Sequence, residues 1–133
     1  MDRKLSKNEI ISSSRNIGGL ISRPEGVFSV YPLKLFWSES SSNSNSPVKV
    51  AFLVSRKNFK KAVTRNLIKR RMRAAYRNNK QDLLKSSLSN KIHLDILFLY
   101  KAREVVPHTN IQMALEKMLH QLAVKISVRN QDA

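Results

Sequence analysis

Apolar residues fall along this chain in short runs separated by polar breaks. Val27 to Trp37 is rich in β-branched and aromatic residues and predicts strand. Pro32 interrupts it, because proline cannot donate to a sheet ladder. Strand alternation puts Leu33, Leu35 and Trp37 on one face, assigned to the core, and Lys34 and Phe36 on the other. Val48 to Val54 is apolar except for Lys49 and predicts the next strand. Ile92 to Tyr100 predicts a buried strand through Leu94, Ile96, Leu97, Phe98 and Leu99. Helical spacing appears in Ile111, Leu115, Met118, Leu119, Leu122 and Ile126. Pro107 marks a break before this last helix, and Thr109-Asn-Ile-Gln112 has the form of a capping box. Residues 5–17 predict a short amphipathic helix on Leu5, Ile10, Ile11 and Ile17. Gly18 and Gly19 read as its stop, and residues 20–26 as loop. A further helix is expected from Asn58, a candidate N-cap, to about Asn78. Residues 80–90 read as a polar connection.

The predicted order is therefore α-β-β-β-α-β-α. Helices must cover a sheet to bury its apolar side, so the expected class is α+β, a two-layer α/β sandwich. The 133 residues predict one domain, 1–133, with 41% apolar residues to fill its core. The Ser/Asn-rich stretch 38–47 buries nothing and is expected to be a mobile loop, as are residues 1–4 and 128–133.

Charge changes the picture. The formal net charge is +16, which a compact chain tolerates best against an anionic partner. Residues 56–80 hold eleven of the 25 lysines and arginines and no acid. Lys61, Arg65, Lys69, Arg73 and Arg77 recur every four residues, which on a helix stacks them along one face, with Asn66 and Arg70 beside them. Exposed helical faces ordinarily mix both signs, and this one does not. A cationic rod of this kind fits nucleic acid. No apolar segment is long enough to span a membrane. The opening Met1-Asp-Arg-Lys-Leu leads into no apolar run, so it does not read as a secretory signal. The absence of cysteine excludes disulfides, Cys-ligated zinc and thiol catalysis, and fits a reducing cytoplasm. His93, His108 and His120 are scattered, with no paired acids beside them, so no catalytic or metal-ligating residue is assigned.

The segment Val54-Ser-Arg-Lys-Asn-Phe-Lys-Lys-Ala-Val-Thr-Arg-Asn-Leu-Ile-Lys-Arg-Arg-Met-Arg resembles the signature of the bacterial ribonuclease P protein subunit. Arg56 and Lys57 match the basic pair that ends the family's strand. Ala62, Val63, Arg65, Asn66, Lys69, Arg70 and Arg73 match its helix motif. Tyr31-Pro-Leu-Lys-Leu is similar to the family's first strands. There are departures. Residues 5–17 lack the aromatic that lines the family's cleft, Ala74 stands where an acid is frequent, and Arg71 where an apolar residue is frequent.

The resemblance implies a fold with a central cleft and a protein that binds two RNAs. These are the ribonuclease P RNA, which carries the chemistry with Mg2+, and precursor tRNA, whose 5′ leader is removed by endonucleolytic hydrolysis. It implies no cofactor on the protein alone, a cytoplasmic location and a monomer within the ribonucleoprotein. Expected RNA contacts are Arg56, Lys57, Lys61, Arg65, Asn66, Lys69, Arg70, Arg73 and Arg77. Arginine forks onto phosphate, and lysine acts as a point charge. Asn66 either reads a base edge or 2′-hydroxyl or orders the arginines. The expected leader cleft holds Lys34, Phe36, Lys49 and Phe59. Core packing is an equal option for Phe36, and a staple role for Phe59. Phe28 and Tyr31 are weaker candidates. The alternatives are a structural RNA-binding protein such as a ribosomal component, a DNA-architectural protein and an RNA-free nuclease. The last two lack an apolar wedge and an acid/base cluster respectively.

Overall fold

The computed structural model describes residues 9–11, 14–40 and 46–131. Its elements are α1 (Ser14–Ser22), β1 (Gly26–Val30), β2 (Leu33–Glu39), β3 (Val48–Val54), α2 (Ala62–Asn79), α3 (Gln81–Ser89), β4 (Leu94–Tyr100) and α4 (His108–Gln131). β1 and β2 form an antiparallel hairpin across Tyr31-Pro32, a cis peptide. β2 runs antiparallel to β4, and β3 parallel to it, giving the sheet order β1-β2-β4-β3. A parallel pair needs a long crossover, and α2 with α3 supplies it.

One face of the sheet carries the main core. Leu33, Leu35 and Trp37 join Val48, Val50, Phe52 and Val54 and Leu94, Ile96, Phe98 and Tyr100. α2 adds Ile68, Met72, Ala75 and Tyr76, all fully buried and spaced at helical intervals. α4 adds Ile111, Leu115, Met118, Leu119, Leu122 and Ile126, the stripe read from the sequence. At the centre Phe52 stacks on Phe98 at 5.7 Å, and both rings meet Tyr76 at about 6 Å. Tyr76 burial pushes its hydroxyl pKa up. Gly26 lets β1 close on β2, since a Cβ there would lie 2.3 Å from the Trp37 indole nitrogen.

The opposite face carries a smaller core of Ile11, Leu20, Phe36, Ala51 and Leu97, with Ile17, Leu53 and Leu99 packed against it. α1 forms this cover, and it runs through Gly18 and Gly19 instead of stopping there. Each glycine costs a helix about 1 kcal/mol. Burial of Leu20 and Ile17 against the sheet offsets that cost.

Other boundaries also move. Residues 80–90 contain α3, whose one fully buried apolar residue, Leu83, leaves only a weak periodic signal. Its buried Ser87 donates to the Ile92 carbonyl. α2 begins at Ala62 with Lys61 as N-cap, not at Asn58. Phe59 is drawn into the core against Tyr100, and that pull makes 55–61 a turn. α4 begins at His108, so Thr109 lies in the first turn and not at the cap. Of the segments expected to be mobile, Ser38 and Glu39 end β2 and residues 128–131 continue α4. Residues 1–4, 41–45 and 132–133 lie outside the described residues. No helix among the described residues is long and apolar enough to cross a membrane.

Candidate nucleic-acid interface

The buried side of α2 fixes where its cations go. At about 100° per residue, Lys69, Arg73, Asn66, Arg77 and Arg70 fan over the arc running from the edge of the core to the solvent side. Asn66, Arg70 and Arg73 are exposed, and Lys69 and Arg77 half-buried. Lys61 at the N-cap is exposed, as are Arg56 and Lys57 in the preceding turn. Among the described residues none of these cations has an ion pair. The one ion pair there is Lys80–Glu9, at 2.8 Å.

Not every cation of the basic run belongs to this surface. Lys80 is buried, 6% exposed, at the joint of α2 and α3. Arg71 lies about 160° around the helix from Arg73 and donates to the Val106 carbonyl at 3.0 Å, bracing α2 to the loop before α4. Arg65 spends one terminal nitrogen on the Phe59 and Lys60 carbonyls, at 2.8 and 2.9 Å. It thereby shapes the turn that presents Arg56 and Lys57, with its other donors left over. Its sequence signal was the same as that of Arg73. Only the burial of Phe59 separates them.

The expected leader residues are not gathered at one point. On the α1 side of the sheet the paired positions form three rows. One is Ser29, Lys34, Leu99 and Leu53; the next Val27, Phe36, Leu97 and Ala51; the third Ser38, Asp95 and Lys49. Phe36 is on the expected face, but α1 covers it to 7% exposure, so its ring is not open for stacking. Lys34 lies over that ring, with Nζ 5.1 Å from the centroid. Lys49 stands opposite Asp95, whose carboxyl burial pushes its pKa up while Lys49 pulls it back. Phe59 is buried in the main core on the other side of the sheet, its ring 5.8 Å from that of Tyr100. Sequence reasoning passed over Leu53 and Leu99, which lie half-buried beside Lys34. Their signal was the continuous apolar run of β3 and β4, which marks strands covered on both faces.

What remains on that face is a cationic, partly apolar strip of Lys34, Leu99 and Leu53. It lies at the sheet end where β3 runs into the Arg56–Lys61 turn. Among the described residues no three His, Cys, Asp or Glu side chains gather in a way that could hold a metal.

Comparison with known proteins adds an independent line. A family model described as ribonuclease P matches residues 5–123. The ribonuclease P protein component of Chlorobium phaeobacteroides is 42% identical over 105 residues, 72% of this chain and 70% of that protein. That of Porphyromonas gingivalis is 31% identical over 97 residues, 73% and 71% of the two chains. The Staphylococcus aureus RNase P protein structure superposes with a TM-score of 0.62 at 19% identity, over 86% of this chain and 94% of that one. A mutant of it described as defective in mRNA degradation gives a TM-score of 0.66 over 87% and 89%.

Proposed function

The chain belongs to the ribonuclease P protein family, and from that premise we propose a division of labour between its two faces. The α2 surface, with the Arg56–Lys57 turn, holds the ribonuclease P RNA. The Lys34 strip on the opposite side of the sheet takes the single-stranded 5′ leader of precursor tRNA. The observation that carries this reading is the cationic arc of Lys69, Arg70, Arg73 and Arg77, without an ion pair among the described residues, on a helix whose other side is locked into the core. Phosphates of a folded RNA would meet a pre-set row of donors there, with little side-chain ordering left to do. The leader, with unpaired bases, would be held by cationic and apolar contact with little sequence choice.

Cleavage itself is assigned to the RNA. In this reading magnesium is held by RNA phosphates, and no residue of the protein is given a catalytic role. The protein's part is to neutralise phosphate repulsion and to position the precursor. We place it in the cytoplasm, as a monomer within the particle. Family membership sets aside the ribosomal-component alternative.

Reconstitution with a cognate ribonuclease P RNA tests the assignment. Protein alone should leave precursor tRNA intact. RNA with protein should cleave at lower magnesium than RNA alone. Efficient cleavage by the protein without RNA would overturn it.

A further inference from the structure

Three loops meet at the end of the sheet where β1 turns into β2 and where β3 and β4 finish: 31–32, 55–61 and 101–107. The Lys101 amide donates to the Pro32 carbonyl at 2.8 Å, fixing the hairpin tip against the end of β4. The Tyr100 hydroxyl donates to the Glu104 carbonyl at 2.6 Å and accepts from the Val106 amide at 3.0 Å. With the Arg71–Val106 bond, these contacts tie 101–107 into a fixed bow.

Tyr31 stands against this bow. Its hydroxyl donates to Glu104 Oε1 at 3.4 Å, yet the residue is 64% exposed. The ring is thus held at its tip and open along its body. Lys101 and Arg103 are exposed in the adjoining loop, without an ion pair among the described residues. Glu104 is the only acid in the three loops, against Arg56, Lys57, Lys60 and Lys61 in the second loop.

We propose that Tyr31, Lys101 and Arg103 form a second contact for single-stranded RNA, in which a base stacks on Tyr31 and flanking phosphates meet Lys101 and Arg103. The inference rests on reading the protein as RNA-binding, and it adds a site separate from the α2 arc. An aromatic ring between cations matches the two features a single strand offers, open base faces and backbone charge. Paired RNA offers no open base face to such a ring. Tyr31 lies at the hairpin tip, three residues before Lys34 in the chain, next to the end of β2 that carries Lys34. The RNA strand is either the leader beyond Lys34 or an unpaired segment of the RNA subunit.

The test uses the full chain and a short labelled oligouridine, so it does not depend on cleavage. Tyr31→Ala should weaken binding about tenfold, within the range for one stacked base. Tyr31→Phe, which keeps the ring, should stay near the parent. The Lys101→Ala, Arg103→Ala pair should flatten the plot of log affinity against log salt by about 1.4, at ~0.7 per cation on single strands. All of these residues are exposed, so melting temperatures should hold. In the assembled particle, a Tyr31→Ala penalty confined to longer leaders identifies the leader as the strand. A penalty on assembly with the RNA subunit identifies that RNA. Oligouridine affinity and salt slope unchanged in both Tyr31→Ala and the double variant would overturn the proposal. If Lys69→Ala, Arg73→Ala still lost affinity in that case, the role proposed for α2 would stand.

Discussion

Arg73 and Lys80 belong to the same acid-free basic run, and the fold gives them opposite jobs. Arg73 is exposed on the α2 arc. Lys80 makes a 2.8 Å ion pair with Glu9, the two side chains being 8% and 14% exposed. Arg73→Ala should therefore leave stability nearly unchanged. It should weaken binding to the RNA subunit by about 1–3 kcal/mol, roughly 5- to 150-fold, the range for losing a charge-assisted hydrogen bond. Lys80→Ala should do the reverse. Removing one partner of a buried pair costs about 3–5 kcal/mol. The residual exposure of Glu9 places this pair near the lower end. About 3 kcal/mol in a domain of this size lowers the melting temperature by roughly 10 °C. A Glu9→Gln, Lys80→Met double variant should recover most of that loss, since no uncompensated charge is left behind. The assays are thermal melts and RNA-subunit binding, both run across a salt series. Arg73→Ala should also flatten the salt dependence, because fewer counterions are released. If Lys80→Ala melted like the parent and lost RNA affinity as Arg73→Ala does, the placement of Lys80 would be wrong.

Further outcomes follow from other residues. Leu115→Ala should cost about 2–5 kcal/mol in a chemical denaturation series, because Leu115 is fully buried in the main core. The glycines should split by sign. Gly18→Ala and Gly19→Ala meet nothing within 4 Å and should each stabilise by about 0.5–1 kcal/mol, whereas Gly26→Ala would collide with Trp37 and should destabilise. Lys34→Ala should lower the particle's affinity for precursor tRNA while sparing mature tRNA. An equal loss on both would remove Lys34 from the leader contact. Asp95 has its pKa raised by burial, so the folded state holds that proton more tightly than the unfolded state. Stability from this group therefore declines as pH rises from 3.8 through the raised value, and Asp95→Asn should remove that decline from the pH–stability curve.

Where many residues agreed, the sequence was readable. The stripe from Ile111 to Ile126 and the alternation of Leu33, Leu35 and Trp37 each repeat one period, and packing only had to follow it. Single-residue signals were weaker than burial. Asn58 is a good cap residue, but Phe59 beside it is drawn to Tyr100 and delays the helix. Gly18 and Gly19 look like a stop until the apolar face they interrupt is seen against the sheet. α3 stayed hidden because Leu83 and Ser87 are its only fully buried residues, too few to set a period. The basic arc was legible from spacing alone. Phe36 was not, because whether a ring on a sheet is open depends on what lies above it. Here that is α1, the element before the hairpin, which folds back over the sheet.

Ile10 pairs with Val50 as a parallel bridge, and the Ile11 amide donates to the Val50 carbonyl at 2.9 Å. β3 is an edge strand, so this short segment sits where another chain could otherwise add a strand. An open strand edge invites self-association. The Glu9–Lys80 pair anchors the segment from one side, and the overall charge keeps separate molecules apart. The same residues that complete the fold therefore also occupy a strand edge that would otherwise be open to pairing with another chain.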